Sequence, residues 1–488
     1  MSFRENTVKI ISTIGPASDS KEVLRKLIDA GVDIFRLNFS HGSHEEKETL
    51  FKRIREISDK VGILADIQGP KIRVGKFKDD QAFTLNVGQE VRVYEKEIDG
   101  GGDNEQFSVP LVGFLKGMKK GYNFYVNDGI INIKVKSKER DHLVGEVIAG
   151  GIISNNKGVN IPNSELKTKV PTEKDIKDLE FIARINPDFV AISFVGGGDD
   201  VLTVKKLLEN YGNSEIKLIA KIERPVALEN FEEILEVSDG IMIARGDLGV
   251  EISPDQVPIK QKELIIKCNK EGKPVIVATQ MLESMINTPV PTRAEANDIY
   301  NAVIDGTDAV MLSAETAVGK YPVNAVEFMN KIASTASSNT PLRSPDDYDS
   351  SRLTHTQTLG HAIHALAKEM EELNFRGKIL VITRLGYGAR MISKFRPPLP
   401  IIAMTPNKRT SRELTLIWGV QAVHIENIDF SGLDAESLIE ESVRYGVEIG
   451  IIDENEHVII LLVSRKFQKR GNLVGLYYVG EILESDDK

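Results

Sequence analysis

Three short stretches carry the residue types from which a catalytic site is built. Lys221-Ile-Glu223 sets an ammonium and a carboxylate two residues apart, Arg245-Gly246-Asp247 adds a second carboxylate, and Arg36-Leu-Asn38-Phe39-Ser40-His41 opens on a guanidinium. Residues i and i+2 of a strand share a face, so Lys221 and Glu223 point the same way, with Asp247 expected at the same height on the neighbouring strand. Two carboxylates facing one lysine offer oxygen-only ligands, which suit magnesium or manganese, whereas zinc draws in histidine or cysteine. The alternative is a Lys–Glu–Asp network that neutralises itself. A divalent ion, a lysine beside it and further cations at Arg36 and Arg73 describe a site that stabilises a transferring phosphoryl group by position and charge. His41 and His44 lie in a polar loop with no catalytic signature and are not read as a metal pair. None of the four Gly-Lys pairs, at Lys76, Lys273, Lys320 and Lys378, is followed by serine or threonine, and no G-x-G-x-x-G occurs. P-loop and Rossmann dinucleotide sites are thereby excluded.

The elements that must position these residues are short β-branched runs alternating with amphipathic stretches, the pattern of a parallel sheet with helical crossovers. Strands are expected at Lys9–Ile14, Ile34–Ser40, Gly62–Gln68, Phe189–Val195, Leu218–Glu223, Gly240–Asp247, Val275–Met281 and Ala309–Glu315. Eight is the count of a closed (β/α)8 barrel, whose chemistry sits at the C-terminal strand ends. Arg36, Asp66, Glu223, Asp247, Thr279, Gln280, Ser313 and Glu315 all fall there. Helices are expected at Lys21–Ala30, stopped by Gly31, and at Thr172–Asn186, where Ile176, Leu179, Ile182 and Ala183 share a face ahead of Pro187. The third and fourth strands are far apart, and between them alternation and glycine turns predict an inserted β-rich unit. After a polar stretch, Ser337–Ser351, strands resume at Ile379–Thr383, Ile401–Thr405, Val420–His424 and Val458–Ser464, ending in the run Leu473–Val479. This is read as a separate, doubly wound α/β domain. The expected division is a barrel over 1–69 and 169–345, a β-rich lid over 70–168 and an α/β domain over 346–488.

With 488 residues the chain has room for about three domains. Its 62 basic and 72 acidic side chains leave a net charge of −10, which disfavours general nucleic-acid binding but not a phosphorylated small molecule held in a basic pocket. The single cysteine, Cys268, forms no intrachain disulfide and supplies no multi-cysteine metal site, which fits a reducing, cytoplasmic setting. The longest aliphatic run, Val458–Val463, is far short of a bilayer span, and no membrane association is expected.

At this level of detail the sequence resembles the pyruvate kinase family. The resemblance rests on Asp66-Ile67-Gln-Gly69-Pro70-Lys71-Ile-Arg73, Lys221-Ile-Glu223, Ala244-Arg245-Gly246-Asp247-Leu-Gly249, Ala278-Thr279-Gln280-Met281-Leu-Glu-Ser-Met, Pro291-Thr-Arg293-Ala-Glu295 and Met311-Leu-Ser313-Ala-Glu315-Thr316. It implies a barrel with an inserted mobile lid and a C-terminal regulatory domain, and transfer of a phosphoryl group from phosphoenolpyruvate to ADP to give pyruvate and ATP. Under it, Glu223 and Asp247 hold Mg2+ or Mn2+, and Lys221 stabilises the transferring group. Arg36 pairs with the substrate phosphate, and Gly246, Asp247 and Thr279 hold its carboxylate and enolate end. Arg73, Asn38, Phe39, Ser40, His41 and Lys157 contact nucleotide phosphates. Ser313 and Glu315 belong to the group that relays a proton to the enolate. A homotetramer is implied as well.

Three departures stand out. Many family members place an acidic residue at Lys71 and bind potassium through the matches of Asn38, Ser40, Asp66 and the Ile67 carbonyl; here Lys71 supplies a positive charge, as in the potassium-independent branch. Gly196 follows Val195 where the family often has arginine. In the C-terminal domain Thr383-Arg384-Leu-Gly386-Tyr-Gly388-Ala-Arg390 replaces a hydroxyl-rich sugar-phosphate loop, so a phosphorylated allosteric effector is expected there, with fructose bisphosphate disfavoured. The competing readings are a magnesium-dependent lyase or mutase acting through a pyruvate enolate, which needs no ADP, and a catalytically idle phosphometabolite sensor.

Overall fold

Eight short aliphatic runs pair in parallel and close on themselves. In the computed structural model, which describes residues 7–101, 105–162, 169–339, 355–426, 428, 430, 433–464 and 471–484, they are Lys9–Thr13, Ile34–Asn38, Gly62–Asp66, Phe189–Ile192, Lys217–Ile222, Gly240–Ala244, Val275–Ala278 and Ala309–Leu312. Each lies beside its neighbours in sequence order, and the first pairs with the eighth. They are mainly aliphatic because each has two buried faces, with Arg36, Asp66 and Lys221 as charged exceptions that meet at the mouth. Ile11, Ile34, Leu64, Ile219, Met242 and Ile276 fill the barrel. The intervening residues, among them Ile10, Phe35, Ile63, Val190 and Leu218, pack outward against the helices.

Several strands stop short of the expected ends, and in each case the released residues turn towards the barrel mouth. The sixth strand ends at Ala244, and Arg245–Glu251 is helical. The amide of Gly246 donates to the Thr279 hydroxyl at 2.7 Å instead of extending a ladder. The seventh strand ends at Ala278, and Thr279 and Gln280 take φ of 72° and 55°. The fourth ends at Ile192, two residues before Phe194 at φ 59°. The eighth ends at Leu312, followed by the helical turn Ala314–Ala317.

The helices begin and stop where side chains satisfy their ends. Ser20 caps Lys21–Ala30 by accepting from the Val23 amide, and Gly31 closes it. Thr172 and Asp175 form a capping box on Glu173–Ile185, which ends at Asn186 in the left-handed region. Leu179, Ile182 and Ala183 of that helix are buried and Ile176 half so; Asp175 and Asp178 are buried beside them, a feature the apolar periodicity did not anticipate.

Between the third and fourth barrel strands, a six-stranded and mainly antiparallel sheet and a separate two-stranded pair, Phe83–Leu85 with Gly151–Ile153, surround their own core of Phe107, Phe114, Phe124 and Leu143. The C-terminal unit is a five-stranded sheet in the order Val420–His424, Ile401–Thr405, Gly377–Ile382, His457–Ser464, Gly471–Tyr478, with the last strand antiparallel. Apolar clusters cover both of its faces. It docks under the barrel through Lys9 to the Val420 carbonyl at 2.7 Å, Arg396 to Asp308 at 2.9 Å and Arg412 to Asp188 at 2.7 Å. The polar stretch expected as a boundary begins inside the helix Pro322–Asn339, and its remainder, 340–351, lies outside the described residues. Among the described residues no helix is long and apolar enough to cross a membrane.

Candidate active site

The second and third strands place Arg36 and Asp66 side by side at the mouth, and the fifth brings Lys221 towards them. Asp66 divides its carboxylate: Oδ2 accepts from Arg36 Nε at 2.7 Å, while Oδ1 faces Ser193 Oγ at 3.2 Å and Lys221 Nζ at 3.3 Å. Arg36 also donates to the Thr13 hydroxyl at 3.0 Å. Lys221 Nζ donates to Ser193 Oγ at 2.7 Å and meets Glu223 Oε1 at 3.0 Å. The other Glu223 oxygen accepts from the Phe194 amide at 2.6 Å. All these side chains are buried.

Burial of this depth disfavours charge, and the balance of partners decides the outcome. Burial pulls Lys221 down, but Asp66 and Glu223 outweigh it and hold the ammonium above its ordinary range. Burial pushes Asp66 up, but Arg36 and Lys221 win and keep it an anion. Glu223 goes the other way: burial, joined by repulsion from Asp247, exceeds the help of Lys221 and raises it. A carboxylate held up by desolvation and a like charge is one that a cation would relieve.

Asp247 lies in the first turn of the helix Arg245–Glu251, and its Oδ1 accepts from Lys71 Nζ at 3.0 Å. Arg245 fixes that turn by donating to Asp298 at 2.7 Å and to the Thr279 carbonyl at 2.9 Å. The inserted β-rich unit touches the same helix, with Asn160 donating to Glu251 at 2.9 Å. Among the described residues no three His, Cys, Asp or Glu side chains group as a metal site. Glu223 and Asp247 repel one another, and as oxygen donors this pair could hold a magnesium or manganese ion.

The remaining predicted residues lie around this centre. Asn38 and Asp66 are register partners on adjacent strands, and the Asn38 side chain accepts from the Ser40 amide at 2.9 Å. The Phe39 carbonyl accepts from Lys174 at 2.7 Å, and Ile67 is held by its amide to the Ala191 carbonyl at 3.1 Å. His41 is pushed towards its neutral form by partial burial and by Arg73, Lys47, Arg36 and Lys174, which marks a strongly positive rim. Arg73 donates to the Asn156 carbonyl at 2.9 Å, and the next residue, Lys157, is tied by its carbonyl to the Val74 amide at 2.9 Å. His44 stacks on Phe181 and bonds Asp178 at 2.7 Å. Glu315 accepts from the Ser313 and Leu282 amides at 2.7 and 3.1 Å; the buried Ser313 hydroxyl is not bonded to it.

Two residues at this centre escaped the sequence reading: Thr13 and Ser193. Both are small hydroxyls at barrel-strand ends. Their position was the one available signal, because neither carries charge.

A barrel with an inserted β-rich unit and with its polar groups gathered at the C-terminal strand ends has the layout of the barrel enzymes, whose sites lie at that face. The family model described as pyruvate kinase, barrel domain, matches residues 5–326, and that described as pyruvate kinase, alpha/beta domain, matches 361–473. The pyruvate kinase of Sporosarcina psychrophila is 40% identical over 487 residues, 97% of this chain and 81% of the relative. That of Clostridium perfringens (strain 13 / Type A) is 40% identical over 467 residues, 93% of this chain and 95% of the relative. A crystal structure of a pyruvate kinase from Cryptosporidium parvum superposes with a TM-score of 0.86 at 33% identity, covering 97% of this chain and 96% of that one. The chain belongs to the pyruvate kinase family, and with it to the transferases.

Proposed function

We propose that the mouth of this barrel transfers the phosphoryl group of phosphoenolpyruvate to ADP, with a magnesium or manganese ion held by Glu223 and Asp247 and with no requirement for potassium. The observation that carries this is the Arg36–Asp66–Lys221–Glu223 network, which gathers two buried cations at the mouth and pairs each with a carboxylate. A divalent ion, when bound, neutralises and polarises the phosphoryl oxygens. Lys221 holds the group in transit, and Arg36 holds the substrate phosphate. Thr279, with Gly246 and Asp247, orients the enolate end. Arg73, Lys157 and the Asn38–His41 turn hold the nucleotide phosphates, and Ser313 and Glu315 lie on the side from which the enolate receives its proton. The lid excludes water that would otherwise take the phosphoryl group.

Lys71 supports the potassium-independent reading, because its ammonium already stands beside Asp247. The same reading places a phosphorylated effector at the turn Thr383–Arg390, the chain in the cytoplasm, and the enzyme in a homotetramer. The test is pyruvate formation from phosphoenolpyruvate and magnesium, with and without ADP, as potassium is raised from zero. ADP-dependent turnover at zero potassium is expected. Turnover confined to potassium-containing buffer would remove the role given to Lys71, and pyruvate release without ADP would favour a lyase.

A further inference from the structure

The ammonium of Lys221 has three N–H donors and faces three acceptors: Ser193 Oγ at 2.7 Å, Glu223 Oε1 at 3.0 Å and Asp66 Oδ1 at 3.3 Å. The shortest contact is the uncharged one. We propose that Ser193 is a positioning residue for phosphoryl transfer, holding the Lys221 ammonium in place without neutralising it. This rests on the reading of Lys221 as the group that stabilises the transferring phosphoryl.

The chemistry distinguishes the three contacts. A carboxylate that fixes a lysine also cancels the charge that an anionic phosphoryl group needs, whereas a hydroxyl fixes it by a lone pair and leaves the charge intact. Glu223 is the proposed metal ligand, so its hold on Lys221 must slacken once it serves an ion, and the Asp66 contact is the longest of the three. Ser193 is the contact with no competing duty. Its own proton goes to Asp66 Oδ1 at 3.2 Å, which orients its lone pairs towards Lys221.

The backbone around Ser193 is constrained on both sides, as a positioning device requires. Phe194, the next residue, holds φ at 59°, a left-handed conformation that is uncommon for a large side chain and persists when its surroundings enforce it. That turn aims the Phe194 amide at Glu223 Oε2, 2.6 Å away. Gly69, just past the third strand, stands close on the other side: a Cβ there would lie 2.7 Å from the Ser193 carbonyl oxygen. Ser193 itself is buried and cannot swing to another rotamer without abandoning both partners.

The test is Ser193→Ala beside Ser193→Thr, Lys221→Met and the double variant Ser193→Ala/Lys221→Met. Loss of the hydroxyl removes one oxygen from a buried site and leaves the fold intact. A displaced lysine costs kcat about 10- to 100-fold, from the sensitivity of catalysis to misplacement by about 1 Å. KM for phosphoenolpyruvate and the affinity for Mn2+, read by water proton relaxation, should change less than about 3-fold, Ser193→Thr should recover most of kcat, and Ser193→Ala should cost nothing further in the Lys221→Met background. Wild-type kcat in Ser193→Ala, an equal loss of Mn2+ affinity, or a threonine variant no better than alanine each overturns the proposal. If Lys221→Met turns over normally, the parent reading fails instead; if Lys221→Met is inactive while Ser193→Ala is normal, only the role of Ser193 fails.

Discussion

Asp66→Asn removes one charge and keeps the shape, so it isolates what the buried carboxylate does. Among the described residues Asp66 is the one acceptor shared by Arg36, Ser193 and Lys221, at 2.7, 3.2 and 3.3 Å. An amide has one oxygen and one NH2. Turned to accept from Arg36, it sets its NH2 against Lys221 and Ser193; turned the other way, it sets it against Arg36. Either orientation leaves a buried cation facing a donor, and breaking a buried pair in this manner costs about 3–5 kcal/mol. At about 2–4 °C per kcal/mol for a unit of barrel size, the thermal midpoint should fall by roughly 6–20 °C at neutral pH.

The pH dependence gives the prediction its signature. The folded-state pKa of Asp66 lies below its ordinary value, because Arg36 and Lys221 outweigh the burial that opposes them. Such a group contributes stability that is fully present above the unfolded-state pKa of about 4 and is lost as pH falls through the folded value. The gap between wild type and Asp66→Asn should therefore be widest near pH 7 and should narrow below about pH 4, as the wild-type carboxylate itself takes a proton. Calorimetry of both proteins from pH 8 to pH 3 measures it. A midpoint within about 1 °C of wild type at pH 7, or a gap that does not close in acid, would refute the reasoning.

Two further outcomes follow from the same structure. Lys71→Met removes the ammonium 3.0 Å from Asp247; a unit charge about 5 Å from a second one at an effective dielectric of about 20 is worth about 3 kcal/mol, so kcat/KM without potassium should fall roughly 100-fold, with added potassium recovering most of it. Recovery by sodium to the same extent, or no loss at zero potassium, would count against the substitution of charge. Asp188→Asn removes the carboxylate that Arg55 and Arg412 share between barrel and C-terminal domain, which they meet at 2.5 and 2.7 Å. A loss of about 3–5 kcal/mol is expected in urea unfolding followed by Trp418, the one tryptophan, whose ring stacks on Arg396 at that interface; unfolding unchanged in midpoint would show the pair to be dispensable.

The eight strands were legible because each is a short aliphatic run buried on two faces, and the inserted unit because its alternation has period two. What the sequence concealed was how strands end. Arg245-Gly246-Asp247 and Thr279-Gln280 continue their hydrophobic runs with polar residues, which on paper look like more strand. The fold instead uses the Thr279 hydroxyl to capture the Gly246 amide, and the sixth strand turns into a helix. Asp247 was thus placed at the right mouth on the wrong element. The charged groups announced themselves by type, so Arg36, Asp66, Lys221 and Glu223 were expected at one mouth, and the structure brings them into contact there. Ser193 sits in Ala-Ile-Ser-Phe-Val, where a serine reads as one polar residue in a buried strand, and its importance lies wholly in contacts with residues 127 and 28 positions away. The pairing of Lys71 with Asp247, 176 positions apart, is equally invisible to local pattern.

Net charge and local charge pull in opposite directions in this molecule, and the site depends on the difference. A chain carrying −10 repels phosphorylated anions at a distance. At the mouth, Arg36, Lys71, Arg73 and Lys221 come from elements separated by as much as 185 residues, counting from Arg36 to Lys221, and on the rim partial burial together with Arg73, Lys47, Arg36 and Lys174 drives His41 towards neutrality. The carboxylates interleaved with them, Asp66, Glu223 and Asp247, keep the cations from unfolding one another before substrate arrives. Under the proposed function, substrate phosphates and a divalent ion would bring both signs at once, so each would take a partner from the resting network without leaving a buried charge alone. Each buried charge of the network is matched by an opposite one, so removing any single charge from it is expected to cost stability and, under the proposed function, rate as well.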